Sequence, residues 1–122
     1  MGIVKSGLTV FALGLGLTAA AHAETYTAAD DSLESKLCVA AATSSKMQVH
    51  SQVAEFRPSS HTSMNYKLIA NKLYCNDQNI VQFALNAGNS QVAEKLDQYR
   101  GQYGEIRDIT ARFSGTVHIG SK

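Results

Sequence analysis

Between Asp31 and Tyr99 the apolar residues recur at intervals of three and four, the spacing that lines one face of an α-helix. Leu33, Leu37, Ala40 and Ala41 form a first series. Asp31 and Ser32 precede it as N-cap candidates with Glu34 close behind, and it ends near Thr43. Ser44 and Ser45 interrupt the pattern. Val49, Val53 and Phe56 form a second series, stopped by Pro58, since proline lacks the N–H that a helix interior needs. The polar stretch SSHTS, residues 59 to 63, reads as a loop. A third helix starts near Thr62 and lines up Tyr66, Ile69, Ala70, Leu73 and Tyr74, with Cys75 at its end. Asn76, Asp77 and Gln78 turn the chain and cap a fourth helix, whose inner face is Ile80, Val81, Phe83, Ala84 and Ala87. Gly88 supplies a left-handed C-cap. Asn89 or Ser90 begins a fifth helix with Val92, Leu96 and Tyr99 inward, and Gly101 closes it. The pattern predicts an all-α fold: a small bundle of about five short helices paired in helix-turn-helix hairpins.

After Gly104 the helical period gives way to alternation. Ile109, Ala111 and Phe113 are followed by Ser114 and Gly115, then by Val117 and Ile119. This reads as a short β-hairpin about a Ser-Gly turn or as an irregular tail, because two strands alone are marginal in water. The helical domain is therefore placed at residues 24–104 and the tail at 105–122.

The beginning of the chain follows a different rule. MGIVKSGLTVFALGLGLTAAAHA has one basic residue, Lys5, an apolar run from Leu8 to Ala21, and small residues Ala21 and Ala23 flanking His22. That is the pattern of a secretory signal peptide over residues 1–23, with cleavage between Ala23 and Glu24. The apolar run is interrupted by Gly14 and Gly16 and is shorter than the ~20 residues a spanning helix needs. The expectation is an exported, periplasmic or secreted chain, soluble and without membrane insertion once the leader is removed.

Export changes the meaning of the two cysteines, Cys38 and Cys75. In an oxidising compartment an even cysteine count indicates a disulfide, and two cysteines permit one pairing. A redox centre would place the thiols close together, as in C-x-x-C. A zinc site would need three or four ligands at short spacings, and His50, His61 and His118 follow no such pattern. A catalytic thiol would have to stay reduced beside a base. The structural disulfide is the favoured reading over the metal and catalytic ones.

Charge removes further classes. The chain carries 11 Lys plus Arg and 10 Asp plus Glu; the leader holds one of the bases, Lys5, so 10 face 10 after its removal. A neutral chain without a basic run lacks the positive face a nucleic-acid binder needs. There is no G-x-S-x-G, no H-E-x-x-H and no Gly-rich phosphate loop. An enzyme would have to build its site from His50 or His61 with Asp30, Asp31 or Glu55, a His/carboxylate pair suited to hydrolysis if the fold joined them. No catalytic, cofactor-binding or metal-binding residue is assigned, and no cofactor is expected.

Two blocks carry a family resemblance. "DDSLESKLCVAAAT" at 30–43 and "NYKLIANKLYCNDQNIVQFA" at 65–84 resemble the small exported bacterial proteins grouped as domain of unknown function 3718. The shared marks are an acidic-capped helix bearing Leu37-Cys38 and a later helix ending in Cys75-Asn76. The similarity covers roughly residues 30 to 96, and residues 105–122 lie outside it. It implies export and paired cysteines, and carries over no site residue because the family has no assigned activity. A second, weaker likeness is local: "NIVQFALNAGNSQVAEKL", 79–96, is similar to the helix-turn-helix of an ankyrin repeat, although any tight helix pair needs small residues at its crossing and Gly at its turn. The expectation is a non-enzymatic module that binds an unknown protein or small ligand. The alternatives are a small hydrolase-like enzyme using a His/carboxylate pair, a metal-binding protein through His50, His61 and His118, or an inhibitor-like secreted factor.

Overall fold

The computed structural model describes residues 24–102 and 112–121. The leader, the cleavage position after Ala23, and the first half of the tail with Ile109 and Ala111 lie outside these residues. The elements in chain order are β1 (Glu24–Ala28), α1 (Leu33–Thr43), α2 (Lys46–Phe56), α3 (Thr62–Lys72), β2 (Leu73–Cys75), β3 (Gln78–Asn79), α4 (Ile80–Asn86), α5 (Ser90–Asp97), β4 (Phe113–Gly115) and β5 (Val117–Ser121).

The five helices form where their periodicity places them. Ser32 caps α1 by accepting from the Ser35 N–H at 3.1 Å, and Asp30 buttresses it by accepting from the Ser32 N–H at 2.9 Å. Ser45 and Gln48 cap α2 reciprocally, each side chain satisfying the other's backbone N–H. At the end of α4 the Gly88 N–H bonds the Leu85 carbonyl and the Asn89 N–H bonds the Ala84 carbonyl. This Schellman closure requires Gly88 at φ 88°. The apolar stripes meet in one core, with Leu37, Val53, Ile69, Leu73, Ile80 and Leu96 almost wholly buried. Leu33, expected on the inner stripe of α1, is instead 47% exposed, while Ser35 in the same turn is buried beneath the Gly115–Thr116 crossing.

The all-α expectation is wrong: the helices carry two small sheets. β1 pairs antiparallel with β5, and β2 lies between β3, antiparallel, and β4, parallel. The third helix stops at Lys72, and Leu73, Tyr74 and Cys75 are extended. Two causes combine there. Asn76 and Asp77 both take positive φ, 51° and 66°, and form a two-residue hairpin turn between β2 and β3. Phe113, Ser114 and Gly115 then pair with Leu73, Tyr74 and Cys75 from the far end of the chain. The cap of α4 is consequently Asn79, whose side chain accepts from the Val81 N–H at 2.9 Å, rather than the Asn76–Gln78 turn.

The tail is corrected in the same way. β4 and β5 do not form a hairpin with each other. Thr116 passes the chain from one sheet to the other, its N–H donating to Ser35 Oγ and its carbonyl accepting from the Ala29 N–H, both at 2.9 Å. Arg57 and Arg112 lie over Phe113 and Tyr74, at 5.5 Å and 3.7 Å from the ring centroids, and Phe56 meets Phe113 edge-on.

Candidate functional site

Cys38 on α1 and Cys75 on β2 form a disulfide, both residues fully buried. Its surroundings are built from backbone. Gly115 crosses directly over it, so close that a Cβ there would stand 2.7 Å from Cys38 Sγ and 2.7 Å from the Glu34 carbonyl oxygen. Asn76, next to the cysteine, lends its side-chain amide to β5: Nδ2 donates to the Val117 carbonyl and Oδ1 accepts from the Val117 N–H, both at 2.9 Å. The amide thus occupies the place of a further strand residue. With its sulfurs bonded and enclosed, this joint offers no nucleophile and no metal ligand. Its 37-residue separation corresponds to a stabilisation of about 4 kcal/mol by restriction of the unfolded chain.

The histidines are dispersed. His50 lies exposed on α2 with Nδ1 2.9 Å from the Tyr66 hydroxyl, His61 is the N-cap residue of α3 without a side-chain capping bond, and His118 is exposed on β5. Among the described residues, no imidazole hydrogen-bonds a carboxylate, and no group of three or more His, Cys, Asp or Glu side chains is arranged to hold a metal. Asp30 is engaged by Ser32, whose hydroxyl and backbone N–H hold its carboxyl below the usual range. The structure does not join His50 or His61 to Asp30, Asp31 or Glu55 by a hydrogen bond.

What His50 does join is an aromatic cluster between α2, α3 and α5. Tyr66 stacks on Tyr99 with ring centroids 4.8 Å apart, and Lys95 Nζ lies over both rings, at 5.3 Å and 5.8 Å. Burial, with a smaller contribution from Tyr99, pushes the Tyr66 hydroxyl up to about 12. A phenol that holds its proton so firmly can donate to neutral His50 Nδ1 but is poorly matched to proton transfer near neutral pH. The cluster packs three helices together; Asn71 completes it by accepting the Gly101 N–H at 2.7 Å and donating to the Tyr99 carbonyl at 2.9 Å.

A concave surface lies elsewhere, on the α4–α5 hairpin. An open groove of about 260 Å3 is lined by Val81 and Leu85 from α4, by Ala93, Glu94 and Asp97 from α5, and by Arg100 just beyond it. Val81 and Ala93 form a buried apolar floor, Leu85 is 47% exposed at its lip, and the charged residues stand along one rim. Asp97 and Arg100 face each other at 3.8 Å, and among the described residues of the groove Glu94 stands outside this pair. The hairpin is held firmly: the Gly88 closure fixes its turn, and Asn89 ties that turn to the end of α1 by donating to the Ala41 and Ser44 carbonyls at 3.0 Å and 2.8 Å. None of these groove residues was singled out by the sequence as a site. The available signal was Leu85, the one apolar residue of α4 that falls off the inner stripe.

The family model described as "Protein of unknown function (DUF3718)" matches residues 37–111, more than half of the chain. The chain belongs to this family. The matched segment contains both cysteines, the aromatic cluster and the groove, and stops short of β4 and β5. No curated protein and no solved structure matches the chain. Among the described residues no helix is long and apolar enough to cross a membrane.

Proposed function

We propose that this DUF3718 protein is an exported, non-enzymatic interaction module that binds its partner through the α4–α5 groove. The observation that carries this reading is the groove itself: an apolar floor, an exposed leucine at the lip and a charged rim on a hairpin fixed by backbone closures. Such a surface can bury an apolar side chain of a partner while Glu94 and Arg100 orient it. The leader-like sequence of residues 1–23 and the disulfide support export, since disulfides persist where the environment is oxidising. Histidines spread over separate elements, and a Tyr66 hydroxyl unsuited to proton transfer, favour binding over hydrolysis.

Site-specific photo-crosslinking in the producing cell tests the reading. A crosslinker placed at Leu85 or Glu94 is expected to trap a discrete partner, and one placed at Met47, which is 80% exposed on α2, is expected to trap none. Equal labelling at all three positions, or none at any, would remove the groove as the binding surface.

A further inference from the structure

The β1–β5 ribbon has two edges, and they are treated differently. The Ala29 N–H donates to the Thr116 carbonyl in register with the pairs Thr27↔His118 and Thr25↔Gly120. In an antiparallel ladder bonded pairs alternate with non-bonded ones, so Thr25 and Thr27 turn their backbone groups toward β5 while Glu24, Tyr26 and Ala28 turn theirs outward. On the far side of β5, Val117, Ile119 and Ser121 have the same outward disposition, and the Asn76 amide closes the first of them with two hydrogen bonds. Nothing equivalent covers β1 among the described residues. Among the described residues no group bonds the N–H or C=O of Tyr26 or Ala28. The strand ETYTA also lacks the devices that protect sheet edges: it has no lysine, no proline and no bulge.

We infer that β1 is a self-association edge, on which the β1 strand of a second copy pairs antiparallel about Tyr26 to give a continuous four-stranded sheet. The strand's own pattern selects this occupant. A two-fold pairing centred on Tyr26 sets Tyr26 against the second copy's Tyr26, Thr25 against Thr27, and Glu24 against Ala28. Aromatic and threonine cross-strand pairs are favourable, and the strand's one charge meets an alanine rather than its own copy. The outward groups of Glu24, Tyr26 and Ala28 are the ones this register bonds. The contact is isologous, so it closes at a dimer instead of propagating. A formal net charge of +1 leaves little repulsion between copies. This edge is separate from the α4–α5 groove, and each inference stands or falls alone.

Sedimentation of the full-length chain across a concentration series tests it, with circular dichroism confirming that each variant folds. The wild-type chain is expected to pass from monomer to dimer. Thr25→Lys combined with Thr27→Lys puts lysine opposite lysine twice across the contact and should weaken the dimer at least about tenfold. Both threonines are exposed within the monomer, so its fold should be unaffected. Thr25→Lys combined with Thr27→Glu turns both pairs attractive and should restore the dimer. In parallel, amide exchange at Tyr26 and Ala28 of the wild-type chain should slow as concentration rises. A wild-type chain that stays monomeric, a dimer indifferent to the lysine pair, or Tyr26 exchange that ignores concentration would each overturn the inference. Tyr26 protection that appears only when an extended peptide is added would do so too, by naming a different occupant.

Discussion

The α4–α5 hairpin and the disulfide joint are both compact, yet they are held by opposite means. In the hairpin the turn itself is closed by local contacts: Gly88 bonds Leu85, Asn89 bonds Ala84, and Val92 and Leu96 follow their helical period, while the Asn89 side chain ties the finished turn to α1. In the joint the decisive contacts span the chain. Cys38 reaches Cys75, Gly115 lies against Cys38, Asn76 pairs with Val117, and Ser35 with Thr116. A local device can form early and anywhere. A long-range one must first close large loops, and loop closure costs entropy before any contact offsets it. The joint should therefore be the part of the fold whose stability depends most on its covalent bond.

The sharpest way to break this contrast is Cys75→Ser. It should lower unfolding stability by about 2–5 kcal/mol, and adding Cys38→Ser should lower it no further, because one cross-link is lost in either case. Urea unfolding measures both values, and additive losses would mean that the cysteines act separately. Native-state hydrogen exchange of the same variant should show the amides of Thr116 and Val117 losing protection well before those of Ala93 and Leu96. Gly115→Ala is next in size. A methyl group forced between Cys38 Sγ and the α1 backbone should cost about 1–3 kcal/mol, with the loss again centred on β4 and β5. Gly88→Ala is the smallest. Nothing lies within 4 Å of a Cβ built there, so the penalty is the positive φ alone, about 1 kcal/mol, and it should leave the exchange rates of β4 and β5 in their original order. A Gly88→Ala loss larger than that of Gly115→Ala would reverse the comparison.

The same division decides what was legible in the sequence. Helices α1 to α5 were readable because a stripe such as Val49, Val53 and Phe56 repeats within one element, and a cap such as Ser32 sits beside what it caps. The strands were not. Leu73, Tyr74 and Cys75 continue the apolar period of α3, and only the distant segment Phe113–Gly115 and the positive φ of Asn76 and Asp77 make them extended. The asparagines were equally silent. Asn65 donates to the Val53 and Arg57 carbonyls, Asn79 to Ala70 and Asn89 to Ala41, each joining two elements by an amide with no periodic signature. The candidate groove was illegible for a related reason. Glu94, Asp97 and Arg100 read as an ordinary solvated helix face until α4 brings Leu85 alongside them.

The register of the ribbon places Glu24 opposite Ser121, so the first and last strands bring the two ends of the described domain side by side, about 5 Å apart between Cα atoms. Such a domain can be rewired. A short linker from the end of β5 to the start of β1 would close the polypeptide into a ring, which could be reopened at the exposed Pro58–Ser59 loop without cutting a strand or the disulfide loop's anchors. The same adjacency would let the module be inserted whole into a surface loop of another protein, its groove still facing outward on the α4–α5 hairpin.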